Sequence, residues 1–199
     1  LHFMMCIGFF WMSLSVSMAE EIVPDTEYSG RIKIESSQNG TSFIMPAGWK
    51  GVWPSGEEFF MMQNQISGAI VWVSVEATTD QEVQTSMSQP IDLGDGILLS
   101  PTTSVKKHNG LFSGDYKVMG SDSLVNGLIQ SKIGKGGLGI TFIGLSTPEH
   151  EKGMKRKITA MMQSVTMTTV KKATSPQKSS RPLYNELVGR KLSYYFTRS

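Results

Sequence analysis

The segment Gly68–Ala77 (GAIVWVSVEA) constrains the fold of this chain more than any other part of the sequence. Its β-branched residues surround the aromatic side chain of Trp72, a composition that favours a buried β-strand. Weaker strand patterns occur at residues 28–35, 41–45, 58–64, 97–99, 111–118, 124–133 and 138–145. Asn39-Gly40 and Gly134–Gly137 lie between neighbouring patterns, where they favour tight turns. The sequence therefore predicts a series of short strands joined by turns.

Residues 78–88 (TTDQEVQTSMS) interrupt the strand pattern and predict a short helix. Thr79 suits the N-cap position, because its hydroxyl can accept a hydrogen bond from a free backbone N–H group of the first turn. Val83 and Met87 lie four residues apart and therefore share one face of the helix. Pro90 prevents the helix from continuing.

A second helix is predicted from Thr147 onward. Thr147 is the expected N-cap and Pro148 the first helical residue, and acidic residues in the first turn complement the helix dipole. The apolar face consists of Met154, Ile158, Met161 and Met162, and the other side is mostly covered by Lys152, Lys155, Arg156 and Lys157. Residues 164–170 (SVTMTTV) then predict a final strand or an extended exit from the helix.

Residues 1–19 have the pattern of an export signal. The stretch Phe3–Val16 is uncharged and apolar or small, and it is shorter than the roughly 20 residues that a membrane-spanning helix needs. Ser17 and Ala19 are small, as signal peptidase requires, so cleavage is predicted between Ala19 and Glu20. Export to the periplasm, the cell envelope or the medium follows from this interpretation. An uncleaved apolar anchor or a buried strand is the alternative.

Cysteine chemistry is excluded from the exported part of the chain. Cys6 is the only cysteine, and removing residues 1–19 leaves 180 residues without one. Disulfides, thiol catalysis and cysteine-ligated metal sites are therefore all ruled out. A chain of this length can bury a sufficient core without disulfides.

Charge divides the chain into two parts. Residues 20–170 hold twelve Lys and Arg against sixteen Asp and Glu, whereas residues 171–199 hold seven against one. We therefore expect a folded domain at 20–170, a basic polar linker at 171–182 and the start of a truncated C-terminal β-rich segment at 183–199. A basic tail can contact nucleic acid. Because the chain is expected to be exported, no nucleic-acid partner is expected.

The motifs that carry chemistry are incomplete. Gly134–Gly139 fits G-x-G-x-x-G, but a strand pattern follows where a dinucleotide site needs a helix, so a hairpin turn is predicted. His108 and His150 lie in different elements, and neither belongs to an H-E-x-x-H motif. We therefore expect no catalytic residues, no cofactor and no metal. Copper(I) binding by the nine remaining methionines is an alternative to their role as core filler.

Several blocks of sequence follow a recognisable order. Phe43–Trp49 is an apolar strand that ends in Pro and Gly-Trp, and Ala69–Val75 is a further strand. Gly137–Ile143 leads to Thr147–Glu149, and the last block ends at Gln163–Val165. In this order the chain resembles the superfamily that joins the PsbP photosystem proteins, bacterial DcrB-type envelope proteins and a Ran-binding nuclear import factor. None of the functional residues of PsbP can be matched, so the resemblance carries no shared chemistry.

The resemblance covers about residues 28–168 and implies an α+β fold, in which helices pack against a central antiparallel β-sheet as an α/β/α sandwich. It also implies an accessory, binding or assembly role, which is the usual role of the superfamily. Trp49 and Trp53 flank Gly51 near two prolines. They either pack the end of the sheet or form an exposed aromatic contact with a partner, and they are the candidate partner-contact residues.

The leading hypothesis is an exported, non-enzymatic binding module with a protein or envelope partner and no transmembrane helix after cleavage. The alternative is a hydrolase or a metal-binding protein whose active domain lies downstream of residue 199. The sequence leaves the ligand and the oligomeric state open, because a fold by itself does not determine a function.

Overall fold

The computed structural model describes residues 19–94, 97–121 and 124–168. The strands within these residues are β1 (Ala19–Glu21), β2 (Glu27–Ser29), β3 (Ile32–Ser36), β4 (Thr41–Met45), β5 (Trp49–Val52), β6 (Phe59–Asn64), β7 (Ile70–Ala77), β8 (Ile91–Gly94), β9 (Ile97–Pro101), β10 (Lys106–His108), β11 (Leu111–Met119), β12 (Asn126–Ile133), β13 (Leu138–Ser146) and β14 (Thr166–Met167). The helices within the same residues are α1 (Asp80–Met87) and α2 (Glu151–Ser164).

Ten of these strands form one antiparallel sheet in the order β2-β5-β6-β7-β13-β12-β11-β9-β8, with β10 paired to β11. The strand β7 lies near the middle, between β6 and β13. Its first four residues are buried. A run of consecutive apolar residues is what a strand covered on both faces requires, so the strongest strand pattern of the sequence corresponds to this central position.

The strands β1, β3, β4 and β14 form a second sheet of four strands, in which β1 runs parallel to β3. The hairpin predicted around Asn39-Gly40 is confirmed by the pairing of β3 with β4, and Gly40 has a φ of +61° in its turn. The single strand predicted at residues 28–35 is instead divided between the two sheets. Gly30, with a φ of +83°, turns the chain between β2 and β3.

Two apolar cores lie on opposite faces of the large sheet. One lies beneath α2 and the small sheet, and it includes the fully buried Phe142 and Ile158. The other includes Val83 and Met87 of α1. Alternation along β13 sends Phe142 to the first core and Ile143 to the second, because successive side chains of a strand point to opposite faces.

The expected α+β fold, with helices packed as the outer layers of an α/β/α sandwich, is wrong. Strands account for 50% of the described residues and helices for 15%. The helix α2 shares its side of the large sheet with the four-stranded sheet, and α1 has 8 residues. The short strands β1 and β10 have no alternating pattern of their own, because pairing with a neighbour and not local composition forms these edge strands. The fold is therefore mainly β.

The predicted start of α1 is confirmed, and the predicted start of α2 is wrong. Thr79 caps α1 as predicted, because the backbone N–H of Glu82 donates to its Oγ1 at 3.3 Å and its own N–H donates to Glu82 Oε2 at 2.9 Å. Thr147 is not the N-cap of α2. A turn follows it, and the helix begins at Glu151 after His150.

The glycine-rich segment between β12 and β13 is a hairpin turn, as predicted. The N–H of Gly134 donates to the carbonyl oxygen of Leu138 at 2.8 Å, and Gly136 and Gly137 have φ values of +105° and +78°. These values lie in the region that favours glycine. A strand follows the turn, so the helix N-terminus that a dinucleotide site needs is missing from this segment.

Three predicted segments lie outside the described residues: the signal peptide up to residue 18, the linker at 171–182 and the C-terminal segment at 183–199. Export and a second domain therefore stay predictions. Among the described residues, none of the helices has the length and apolar character that crossing a membrane requires.

Candidate functional site

A cleft of about 200 Å³ opens beside the N-terminal half of α2, at the ends of β5 and β6. Trp49 and Asn64 line it from the sheet, and Arg156 and Lys157 line it from the helix. His150, immediately before α2, also borders the cleft. The fold thus brings together residues from well separated parts of the chain.

Trp49 lines this cleft and carries a buried, unsatisfied hydrogen-bond donor. It is the first residue of β5, it follows Gly48 with a φ of +80°, and 2% of its surface is exposed. Its indole N–H has no hydrogen-bond partner among the described residues. A buried donor without a partner costs about 1–3 kcal/mol. Because the nitrogen has almost no accessible surface, this donor belongs to the core beneath the cleft.

Asn64 fixes the sheet side of the cleft. Its Oδ1 accepts hydrogen bonds from the backbone N–H groups of Ile66 at 3.1 Å and Ser67 at 2.9 Å, which closes the turn between β6 and β7. Its Nδ2 donates to the carbonyl oxygen of Gly48 at 3.1 Å. One side chain therefore ties this turn to the residue that precedes Trp49.

Arg156 and Lys157 make the helix side of the cleft positive. Within the described residues, no ion pair joins either of them to a carboxylate. Glu149 is the acidic residue of the lining, and its Oε1 lies 3.9 Å from Nε2 of His150. Without counting His150, two cations and one carboxylate give the lining a net charge of +1. The positive end of the α2 dipole adds to this charge.

An ion-pair network anchors the same part of α2 to the sheet. Lys155 Nζ lies 2.7 Å from Asp115 Oδ1 on β11 and 2.5 Å from Glu151 Oε1, and Asn126 on β12 donates to Glu151 Oε2 at 2.5 Å. The hydrogen bond from Lys155 holds the pKa of Glu151 below its ordinary value. Burial lowers the pKa of Lys155, but its hydrogen bonds to Asp115 and Glu151 outweigh burial and raise it. The helix side of the cleft is therefore held against the sheet.

Trp53 lies away from this cleft, in a smaller groove of about 70 Å³ between the small sheet and β6. Its ring is half-buried, and its indole N–H donates to the carbonyl oxygen of Glu57 at 2.6 Å. The two tryptophans that the sequence singles out therefore border different depressions, with Trp49 buried and Trp53 partly exposed. Their role as partner contacts stays a prediction.

The other residues considered from the sequence are dispersed. His108 lies on β10, where its Nε2 is 3.1 Å from Nδ2 of Asn109, whereas His150 borders the cleft. In the part of the chain that the structure describes, no group of three or more His, Cys, Asp or Glu side chains could hold a metal ion. Ala19 and Glu20, the predicted cleavage residues, lie in β1 and pair with β3.

Sequence reasoning missed the role of Arg156, Lys157 and Asn64. A helical pattern assigns both cations to a solvated face, because it cannot show which of them lie near an indole from another strand. The available signal was Gly153, which interrupts a strong helical pattern. An added Cβ at this position meets nothing within 4 Å, so the glycine leaves open space at the cleft.

No family model matches the sequence, and no curated protein is significantly similar to it. Among solved structures, the chain is similar to the solution structure of cyanobacterial PsbP (CyanoP) from Synechocystis sp. PCC 6803. The TM-score is 0.51 at 16% identity, over 72% of this chain and 92% of CyanoP. A crystal structure from Bacteroides thetaiotaomicron VPI-5482 aligns with a TM-score of 0.40 at 12% identity, over 74% of this chain and 52% of that one. The first match shows a PsbP-like fold for this chain, with a loose fit, and shows the fold alone.

Proposed function

We propose that this chain is a non-enzymatic accessory module that binds a partner through the cleft beside α2. The proposal rests on the residues that line the cleft. Arg156 and Lys157, two cations without an ion pair among the described residues, share this lining with Trp49 and Asn64. Cations of this kind favour binding, because an anionic group of a ligand can form charge-assisted hydrogen bonds with them.

The volume of the cleft limits what it can hold. Pockets for complete drug-sized ligands or cofactors measure about 300–1,000 Å³, and this cleft measures about 200 Å³. It therefore suits one protruding group of a larger partner better than a complete cofactor. The PsbP-like fold fits an accessory module of this kind.

Photo-crosslinking tests the binding proposal. The amino acid p-benzoylphenylalanine replaces Gly153, where an added Cβ meets nothing within 4 Å. In the control it replaces Lys135, in the exposed turn between β12 and β13. In cells of the native host, we expect a discrete adduct from position 153 and none from position 135. The absence of an adduct at 153, or the same adduct from both positions, would contradict the proposal.

Activity assays test the non-enzymatic part of the proposal. The purified full chain is incubated with ester, phosphoester and peptide substrates, and turnover at the background rate is expected. A hydrolytic or transfer activity that disappears in a His108→Gln, His150→Gln or Asp115→Asn variant would show that the chain is an enzyme. That result would replace the proposed binding role with a catalytic one.

We also propose that the module works outside the cytosol. The support is the apolar segment of residues 1–19 with its small residues at the predicted cleavage site. Mass spectrometry of the protein purified from its native host measures the N-terminus directly. A mature chain that begins at Glu20 is expected, and a chain that keeps residues before Ala19 would contradict a cleaved signal.

A further inference from the structure

We infer that the aromatic residues 194–196 of this chain dock into the groove between the two sheets that Trp53 borders. The inference does not depend on the proposed function, because the groove and the cleft beside α2 are different depressions of the fold. Three features lead to it: the half-buried apolar lining of the groove, the place where the chain leaves the described part of the fold, and the charges of the two regions.

The groove is a gap in the apolar layer between the small sheet and the large sheet. Its lining includes Ile22, Trp53 and Val75, which pack against the core beneath α2 and are half-buried. Its volume of about 70 Å³ is too small for a further strand or helix. Covering half-buried apolar surface is favourable, and aromatic side chains bury a large area each. The groove therefore suits one or two aromatic side chains.

The chain leaves the described part of the fold at the rim of this groove. Asn39 and Thr41 line the groove, and Gly40 lies between them. The carbonyl oxygen of Gly40 accepts hydrogen bonds from the backbone N–H of Thr168 at 2.8 Å and from Oγ1 of Thr168 at 3.0 Å. Residues 169–193 connect Thr168 to Tyr194. A connection of this length spans up to about 85 Å when it is extended, so residues 194–196 can return to the groove.

The covalent connection favours these residues over a separate partner. A group tethered to its binding site has an effective concentration in the millimolar range. A contact with a dissociation constant of about 1 mM therefore keeps the groove occupied in roughly half of the molecules. A separate partner would have to bind more tightly or be present at the same concentration. A weak contact by one or two aromatic side chains is therefore sufficient for docking within the chain.

The charges of the two regions also favour this occupant. Glu58 is exposed at the rim of the groove, and within the described residues no ion pair joins it to a cation. Arg190, Lys191 and Arg198 flank residues 194–196 in the sequence. Acidic residues outnumber Lys and Arg at 20–170, and the reverse holds at 171–199. The cations beside the aromatic residues are therefore attracted to the domain that contains the groove.

Photo-crosslinking within the purified full chain tests the inference. The amino acid p-benzoylphenylalanine replaces Phe196, and mass spectrometry locates the adducts. In the control it replaces Gln177, which is closer to Thr168 in the sequence and lies outside the aromatic residues. From position 196 we expect adducts within one chain at groove residues such as Trp53 or Val75. From position 177 we expect no preference for these residues.

Substitutions identify the contacts that hold the aromatic residues. Tyr194→Ser/Tyr195→Ser leaves every described residue unchanged and should lower the yield of groove adducts about tenfold, through the loss of aromatic contact area. Glu58→Lys reverses the charge at the rim and should lower the yield about threefold. Asp92→Lys is the matched control, because it makes the same change of charge at an exposed position of β8, the far edge of the large sheet. It should leave the yield unchanged.

The indole N–H resonance of Trp53 in the ¹⁵N-labelled full chain is an independent readout. Tyr194→Ser/Tyr195→Ser should shift this resonance and leave that of Trp72, which lies in the core on the other face of the sheet, in place. An unmoved Trp53 resonance, or adducts from position 196 that match those from position 177, would overturn the inference. Mixing isotope-labelled and unlabelled chains separates adducts within one chain from adducts between two. Adducts only between chains would assign the groove to a second copy and would also overturn it.

Discussion

Replacing Gly144 with alanine tests how α2 packs on the large sheet. Gly144 lies in β13, and a Cβ built at this position would overlap Cδ1 of Ile158 and lie 2.8 Å from Sδ of Met154. Ile158 is 0% exposed and Met154 is 2% exposed, so neither side chain can move aside into solvent. The space that a side chain at 144 would fill is therefore occupied by the helix.

The expected loss of stability follows from two opposing effects. Overpacking of a core costs about 1–3 kcal/mol, and replacing glycine restores about 0.5–1 kcal/mol by restricting the unfolded chain. Because the new Cβ overlaps a fully buried atom, the overpacking cost falls in the upper part of its range, at about 2–3 kcal/mol, and we expect Gly144→Ala to lower the free energy of unfolding by about 1–2.5 kcal/mol. Gly153→Ala is the matched control, since the same change on the helix meets nothing within 4 Å. It should raise stability by about 0.5–1 kcal/mol.

Urea unfolding of the full chain, followed by circular dichroism, measures both effects. Ile158→Val removes the Cδ1 atom that overlaps the new Cβ. The double variant Gly144→Ala/Ile158→Val should therefore lose less stability than the sum of its single changes, because the two sites share one contact. A Gly144→Ala protein as stable as the parent, or a double variant with additive losses, would refute the packing argument.

Two further predictions concern carboxyl groups whose pKa values shift in opposite directions. Because Lys155 lowers the pKa of Glu151, the stabilisation by Glu151 is present above its unfolded-state pKa and is lost as the pH falls through the lowered value. Glu151→Gln should therefore cost about 1 kcal/mol near neutral pH and nothing in acid. Burial, together with repulsion from Glu82 and Glu58, raises the pKa of Glu76, so stability is lost as the pH rises through that value. Glu76→Gln should accordingly be more stable than the parent near neutral pH and equal to it in acid. Urea midpoints across pH measure both variants, and pH trends of the same sign would contradict these assignments.

The elements that could be predicted from the sequence are those with a strong local cause. The segment Gly68–Ala77 predicts β7 because β-branched residues pack well on a pleated surface, and the glycines at 134–137 predict a hairpin because they adopt positive φ. Thr79 caps α1 because its hydroxyl and Glu82 satisfy each other's backbone N–H groups within one turn. In each case the partners lie within a few residues of each other.

The predictions that failed depended on partners far away in the chain. The short strands β1 and β10 form by pairing with a neighbour and have no pattern of their own. Thr147 fits an N-cap by composition, but the helix begins later, at Glu151. There, contacts with Asn126 and Lys155 stabilise the first residue of the helix. Local sequence signals do not decide between alternative starts of a helix, because tertiary contacts outweigh differences in helix propensity.

The sequence by itself determined the central strands, the glycine-rich turn and the apolar face of α2, because each depends on the spacing of neighbouring residues. Only the tertiary structure decided that Trp49 is buried and that Arg156 and Lys157 line a cleft with it. Spacing within β5 or within α2 cannot reveal this arrangement. It exists because Gly144 lets the helix approach the sheet, and close packing then brings distant residues together.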